Sequence, residues 1–442
     1  MLGGTALEAA AFNGNIDNLK LLLDRGAKLN CKAVDTFVSC QSSALHRAVE
    51  VRQEATVKLL LDRGAKASSI GALGSILVTA MIYRQDGGSE NIVRLLLDSR
   101  ADVNAESYDG SALQNAVSYG NENFVRLLLD READVNARGS PYALPFGHAL
   151  HRAIKGRKDI ALVKLLIDKG ADVNLRSIGP YFKSHSTIAA AASIGSEDIV
   201  KLLLDRGANV NADCDYWGNT LRAAAFSGNE SISAVKGGNI NIVKLALDRG
   251  ANVNERSANG ISALNYATFV HGGHEDIVRL LLDKGAKIHG YGLIHAAVGG
   301  GNENILRLLL DRGVDVNEYS ANNSSAGVVE VAVRSGRETF QKSEILPIAV
   351  HDGDIKIVKL LLDRGADING SYDGYYNHCT PLGRTLTVTA RTAKRTAIAK
   401  LLLDRGAEIQ GGELEAAIHS ENVEIADLLV DREAVVRGKA DA

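Results

Sequence analysis

The sequence predicts an all-α repeat architecture of stacked helix pairs, and three observations carry that reading. First, the block Leu-Leu-Leu-Asp-Arg-Gly or a close variant recurs twelve times. Its aspartate falls at Asp24, Asp62, Asp98, Asp130, Asp168, Asp205, Asp248, Asp283, Asp311, Asp363, Asp404 and Asp431. Second, the spacings run from 27 to 52 residues and cluster in the mid-thirties, a period that signals a stack of supersecondary units rather than separate globular domains. Third, aromatics make up only 5% of the 442 residues and there are only five prolines. A large mixed-fold enzyme core would use more of both.

Each unit reads in the same order. A small polar residue opens a short helix, as in Ser43-Ala44-Leu45-His46-Arg47-Ala48, where the hydroxyl caps exposed backbone N–H groups. Pro381, in Thr380-Pro381-Leu382, stands where a first helical turn tolerates proline. The alanines of this helix keep it thin, so a neighbour can approach closely. Gly-Asn or Gly-Ser then breaks it, as at Gly14-Asn15, Gly120-Asn121 and Gly195-Ser196. The second helix, for example Ile199-Val200-Lys201-Leu202-Leu203-Leu204, is apolar on most of its circumference and is expected to be buried between neighbours. A glycine after Asp-Arg or Asp-Lys (Gly64, Gly170, Gly207 and six others) ends it in the left-handed conformation. Ala-Asp-Val-Asn, as at Ala101 to Asn104, then leads into a turn-rich connection.

This succession resembles the ankyrin repeat over essentially the whole chain. The resemblance implies an all-α ankyrin-repeat solenoid of stacked antiparallel helix pairs with β-hairpin-like finger loops. The whole of 1–442 is expected to form a single array of about twelve repeats. The resemblance also implies a protein-binding module without chemistry of its own. His46, His151 and His295 occupy the opening-helix histidine position, where a hydrogen bond bracing neighbouring fingers is expected.

Departures from the pattern mark local outgrowths. Longer helix–helix turns are expected at about 83–90, 226–239 and 386–397, and an insertion in one finger at about 318–343. Within that insertion, Gly327 to Val333 has the pattern of a short extra helix. Arg100, Glu132 and Glu433 replace the terminating glycine. A non-glycine residue in the left-handed region costs about 1–2 kcal/mol, so the helix is expected to end differently at these three. Glu424 and Asp427 suggest a polar C-terminal cap over about 412–442. Met1-Leu2-Gly3-Gly4 enters the first helix with no such cap, which suggests upstream sequence.

Composition excludes several classes of function. Lys and Arg number 50 against 53 Asp and Glu, a net charge of −3, so nothing draws the chain as a whole to nucleic acid or an anionic membrane. Four cysteines with no C-x-x-C pairing form neither a disulfide framework nor a zinc set. No apolar run spans a bilayer and no secretory leader is visible, so an intracellular setting, cytoplasmic or nuclear, is expected. His271-Gly-Gly-His274 lacks further ligands at metal spacing. Gly299-Gly300-Gly301-Asn302 lacks the Gly-Lys-Ser/Thr ending of a phosphate loop. Cys379 beside His378 is adjacency in sequence only. No cofactor, metal or catalytic residue is expected. An enzyme with its site in an insertion loop is the remaining reading of another class, and neither candidate loop holds a histidine, cysteine or paired base.

Function should therefore lie in what varies around the repeat. Of 21 aromatics, 14 fall in the connections between units, which make up roughly a third of the chain. Aromatics with polar tips are what interfaces concentrate, so Tyr108, Tyr142, Tyr181, Tyr216, Trp217, Tyr372, Tyr375 and Tyr376 are candidate partner contacts. Between Asp373 and Asp404 there is no acid, while Arg384, Arg391 and Arg395 stand with Lys394 and Lys400. That stretch suits an acidic or phosphorylated segment; a solvated basic loop is the alternative. The expected role is a protein–protein interaction scaffold binding a protein or peptide through its concave face and fingers. A monomer is expected, alone or as the sensor or substrate-recognition segment of a larger receptor or ubiquitin-ligase adaptor.

Overall fold

The computed structural model describes residues 6–30, 43–67, 70–71, 74–82, 89–107, 110–138, 147–157, 159–178, 184–212, 219–226, 239–256, 261–269, 274–288, 292–317, 345–370, 381–382, 393–409, 413–419 and 423–440. They fall into two compact units, 1–220 and 221–442. Each is a succession of helix pairs, a first helix of about seven residues and a second of about nine, lengths at which an isolated helix is marginal in water. Packing supplies what local propensity cannot.

In the first unit the first helices stack in sequence: Ala6–Phe12 on Ala44–Glu50, then Ile76–Ile82, Ala112–Tyr119, Ala149–Lys155 and Thr187–Ser193. The second unit stacks Ala263–Phe269, Gly292–Gly300 and Ile345–Asp352 likewise. Alanine explains the closeness: Ala48, Ala116, Ala153 and Ala191 stand at one repeat position and are each at most 1% exposed. The second helix, expected to be buried between its neighbours, is buried along one stripe only, and the first helix is the more enclosed of the two. Every residue from Thr187 to Ala192 is buried, whereas Glu197–Asp205 buries only Ile199, Val200 and Leu203. One stripe of the second helix faces inward and its Asp and Lys positions face water.

Three connections form two-residue antiparallel rungs: β1 (Ile70–Gly71) with β2 (Gly74–Ser75), β3 (Glu106–Ser107) with β4 (Gly110–Ser111), and β5 (Ser177–Ile178) with β6 (Ser184–His185). The expected hairpin-like fingers are therefore present at these positions. Serine caps open first helices as anticipated. Ser43 accepts from the backbone N–H of His46, Ser186 from that of Ala189, and Ser111 forms a full capping box with Gln114.

The nine glycines after Asp-Arg or Asp-Lys all have positive φ, from +83° at Gly207 to +94° at Gly406. At Arg100 and Glu132 the expectation fails. Both adopt the same left-handed conformation (φ +61° and +64°), and the helix closes as it does at glycine. Ala101 donates to the Leu96 carbonyl and Ala133 to Leu128, just as Ala208 donates to Leu203. The physical reason is space: a Cβ built on Gly64 or Gly207 meets nothing within 4 Å. The cost is backbone strain alone, with no clash added, and the closure absorbs it. Glu433 does end differently, because the helix Val423–Ala440 runs through it.

The turn between paired helices repeats the device. Gly14, Gly120 and Gly195 have positive φ, and Arg52 (+56°) and Arg157 (+50°) take the same place in their own pairs. The inserted turns at 83–88, 227–238 and 386–392, the finger at 318–343 and the Gly327–Val333 segment lie outside the described residues. Residues 393–397, read as turn from the sequence, belong instead to the helix Ala393–Asp404.

Arg100→Gly and Glu132→Gly should each stabilise the chain by roughly 0.5–1 kcal/mol, since the left-handed cost exceeds glycine's extra unfolded-state entropy. Gly207→Ala should destabilise it by about 1 kcal/mol. Urea denaturation midpoints report both, and a lower midpoint for Arg100→Gly would show that the arginine is not strained.

Candidate functional site

What the described residues show first is how each repeat grips the next. The arginine or lysine of one Asp-Arg/Lys signature reaches the aspartate of the preceding one: Arg63–Asp24 at 3.0 Å, Arg131–Asp98 at 2.8 Å, Lys169–Asp130 at 2.9 Å and Arg206–Asp168 at 2.8 Å in the first unit. In the second unit Arg312–Asp283, Arg364–Asp311, Arg405–Asp363 and Arg432–Asp404 continue it at 2.7–2.8 Å. Of the two arrangements open to this charged row, solvated or mutually paired, the structure shows the paired one. The hydrogen bond and charge of Lys169 hold the Asp130 carboxyl below its ordinary range. Within the first unit the row is interrupted at Asp62, where Ser99 replaces the arginine of the next repeat.

A second row was not anticipated. The asparagine of Ala-Asp-Val-Asn clamps the backbone of the following connection with both ends of its carboxamide. Asn136 donates to the Gly170 carbonyl at 3.0 Å and accepts from the Asp172 N–H at 2.8 Å. Asn30, Asn174, Asn254 and Asn317 do the same one repeat along. At Asn136, Asn174, Asn254 and Asn317 the residue two before orients the clamp, as Asp134 Oδ1 accepts from the Asn136 N–H. The sequence signal was the fixed offset of Asn from the glycine. Asn317 and Arg364 reach across the 318–343 insertion to Gly365 and Asp311, so the joint between the flanking helix pairs is made despite it.

Of the opening-helix histidines, His46 and His151 are both buried, at 1% and 0% exposure. His46 Nδ1 lies 3.1 Å from its own cap, Ser43 Oγ. His148 and Gln114 reach the next finger, at Leu175 O (2.9 Å) and Ala137 O (2.8 Å). The side chain of His295 lies outside the described residues. Arg152, 1% exposed, is a further strut, donating from Nε to Gly147 O and from Nη1 to Ser118 Oγ.

Of the candidate contacts, Tyr108, Tyr142, Tyr181, Tyr216, Trp217, Tyr372, Tyr375, Tyr376, Arg384 and Arg391 lie outside the described residues. Arg395 is in the helix Ala393–Asp404, with its side chain also outside them. Among the described residues the structure adds two exposed aromatics at the ends of first helices, Phe12 (48%) and Tyr119 (59%), which attention to the connections alone passed over. Gly301 (φ +68°) is a turn residue following the helix Gly292–Gly300. His274 precedes the helix Glu275–Asp283, and burial lowers its pKa; His271 and all four cysteines lie outside the described residues. Among the described residues no group of three or more His, Cys, Asp or Glu is placed to hold a metal ion. No described helix is long and apolar enough to cross a membrane.

Comparison with known families agrees with this architecture. A family described as ankyrin repeats (three copies) matches residues 2–70, 73–139, 150–233 and 231–320, and one described as ankyrin repeat matches 345–371. These spans cover well over half of the chain, which belongs to the ankyrin repeat family. No curated protein matches it. Beyond 371 the joints Arg405–Asp363 and Arg432–Asp404 carry the repeat chemistry onward. Ankyrin repeats are in general protein–protein interaction modules.

Asn136→Ala should cost about 1–2 kcal/mol, because two hydrogen bonds to the next connection are lost together. Asp311→Ala should cost no more than about 1 kcal/mol, its ion pair with Arg364 being exposed. Denaturation of both variants ranks the two rows, and a larger loss for Asp311→Ala would invert the ranking.

Proposed function

We propose that the chain is a non-enzymatic recognition module holding a protein or peptide partner along its first-helix face and finger loops. The observation that carries this is the division of labour across the repeat. Helix packing, the Asp–Arg/Lys row and the asparagine clamps consume the recurring residues, and the variable connections hold most of the aromatics. A face built this way changes its partner by changing finger residues while the joints stay intact. Tyr216 and Trp217 supply rigid, polar-tipped area of the kind that anchors interfaces. Arg384, Arg391 and Arg395 give the 372–400 stretch a preference for acidic or phosphorylated segments. Continuity of the array through all twelve signatures belongs to the same reading, as does service as the recognition part of a larger assembly.

Co-precipitation from a cell extract followed by mass spectrometry should recover a reproducible partner set with the native chain. Tyr216→Ala/Trp217→Ala should lose it at unchanged circular dichroism. Arg384→Glu/Arg391→Glu/Arg395→Glu should lose acidic partners selectively. Full recovery with all five positions changed would remove the fingers from the interface.

A further inference from the structure

We propose that the joint between the helix pairs 149–168 and 187–205 is acid-labile, opened when His148 takes up a proton, while its sibling joint one repeat earlier is not. The reason is a difference in how two neighbouring repeats build the same contact. At 112–130 the first helix is capped by Ser111, whose side chain accepts from the Gln114 N–H, and the carboxamide of Gln114 donates to the Ala137 carbonyl. None of these groups titrates between pH 4 and 8.

At 149–168 one imidazole does both jobs. His148 stands where Ser111 does, and its Nδ1 accepts from the His151 N–H at 3.3 Å. Its other nitrogen, Nε2, lies 2.9 Å from the carbonyl of Leu175, the residue equivalent to Ala137. A carbonyl only accepts, so the ring is the neutral Nε2–H tautomer with its sole lone pair spent on the cap. Thr187 Oγ1 donates to the same Leu175 carbonyl at 3.3 Å, which ties the ring's partner directly to the next helix. A second proton on the ring has no acceptor without breaking the cap.

The surroundings oppose the charge as well. His148 is 1% exposed and His151 is 0% exposed, their rings edge-on at 6.0 Å. The Arg152 guanidinium donates to the Gly147 carbonyl, one residue from His148. On the following finger Asp172 favours protonation and Arg176, next to Leu175, is a cation. Burial outweighs the help from the Leu175 hydrogen bond and Asp172, and lowers the ring to about 4 from an ordinary value of 6.5. The site is also tight: a Cβ on Gly147 would lie 2.6 Å from Ser177 Oγ and 3.1 Å from His151 Cδ2. The ring therefore has little room to slide towards solvent while the joint stays closed.

The direction of the pH effect follows. The closed joint binds fewer protons than the open one between the released ring's 6.5 and the closed ring's value of about 4, so opening becomes more favourable as pH falls through that window. From pH 7.5 to pH 5.0 the opening equilibrium should rise about thirty-fold, approaching tenfold per pH unit below 6.5.

Hydrogen–deuterium exchange of the full chain, corrected for intrinsic exchange, tests this. Peptides covering 148–157 and 171–178 should lose about thirty-fold in protection between pH 7.5 and 5.0, while the peptide covering 112–119 in the same sample should not. His148→Ser/His151→Gln installs the Ser111/Gln114 arrangement and should abolish the acid response at 148–178. Equal loss at both joints of the native chain overturns the proposal without recourse to a variant. So does an undiminished response in the double variant.

Discussion

A helix of seven residues beside one of nine cannot bury its own apolar stripe, and every other feature of this protein follows from that shortage. Within each unit a pair is completed by the pairs packed before and after it. The alanine positions bring consecutive first helices close enough to exclude water, and the buried Leu and Val of the second helices fill what remains. Directional bonds then set the register. The asparagine clamp satisfies a backbone carbonyl and an N–H of the neighbour at fixed offsets. The Asp–Arg/Lys row adds an electrostatic tie on the solvent side. Apolar area supplies most of the cohesion, and hydrogen bonds choose one stacking among several.

The joints are not chemically identical, and their differences are informative. Glycine serves as the left-handed helix terminus at nine positions, yet Arg100 and Glu132 hold the same geometry. A repeat can therefore carry a strained residue wherever the side chain points into open space. At the first helix the variation is in polarity. Serine with glutamine, or histidine alone, makes the same pair of contacts, and only the histidine brings a proton equilibrium with it.

Much of this was legible along the chain because a repeat prints its own key. The recurrence of Asp-Arg-Gly placed the second helices and their termini, and Gly14, Gly120 and Gly195 marked the turns. Ser43 and Ser111 announced their caps. The clamp asparagines were as visible as the aspartates, but their role was not. Asn136 finds its partners at Gly170 and Asp172, more than thirty residues on, where no local pattern reaches. His148 hid for the opposite reason: it breaks the serine pattern, and a single departure reads as noise until its ring is seen between two elements.

Sequence alone determined the class of fold and the division between recurring and variable residues, because periodic patterning is a property of the chain itself. It also determined which aromatics and arginines stand in the connections. The tertiary structure decided which helix of each pair is the more enclosed, and that the charged row is paired rather than merely solvated. It also decided that Gln114 and His148 reach the next finger. Those outcomes depend on which groups meet across a joint. Their distances and burial arise only when one pair is laid against the next.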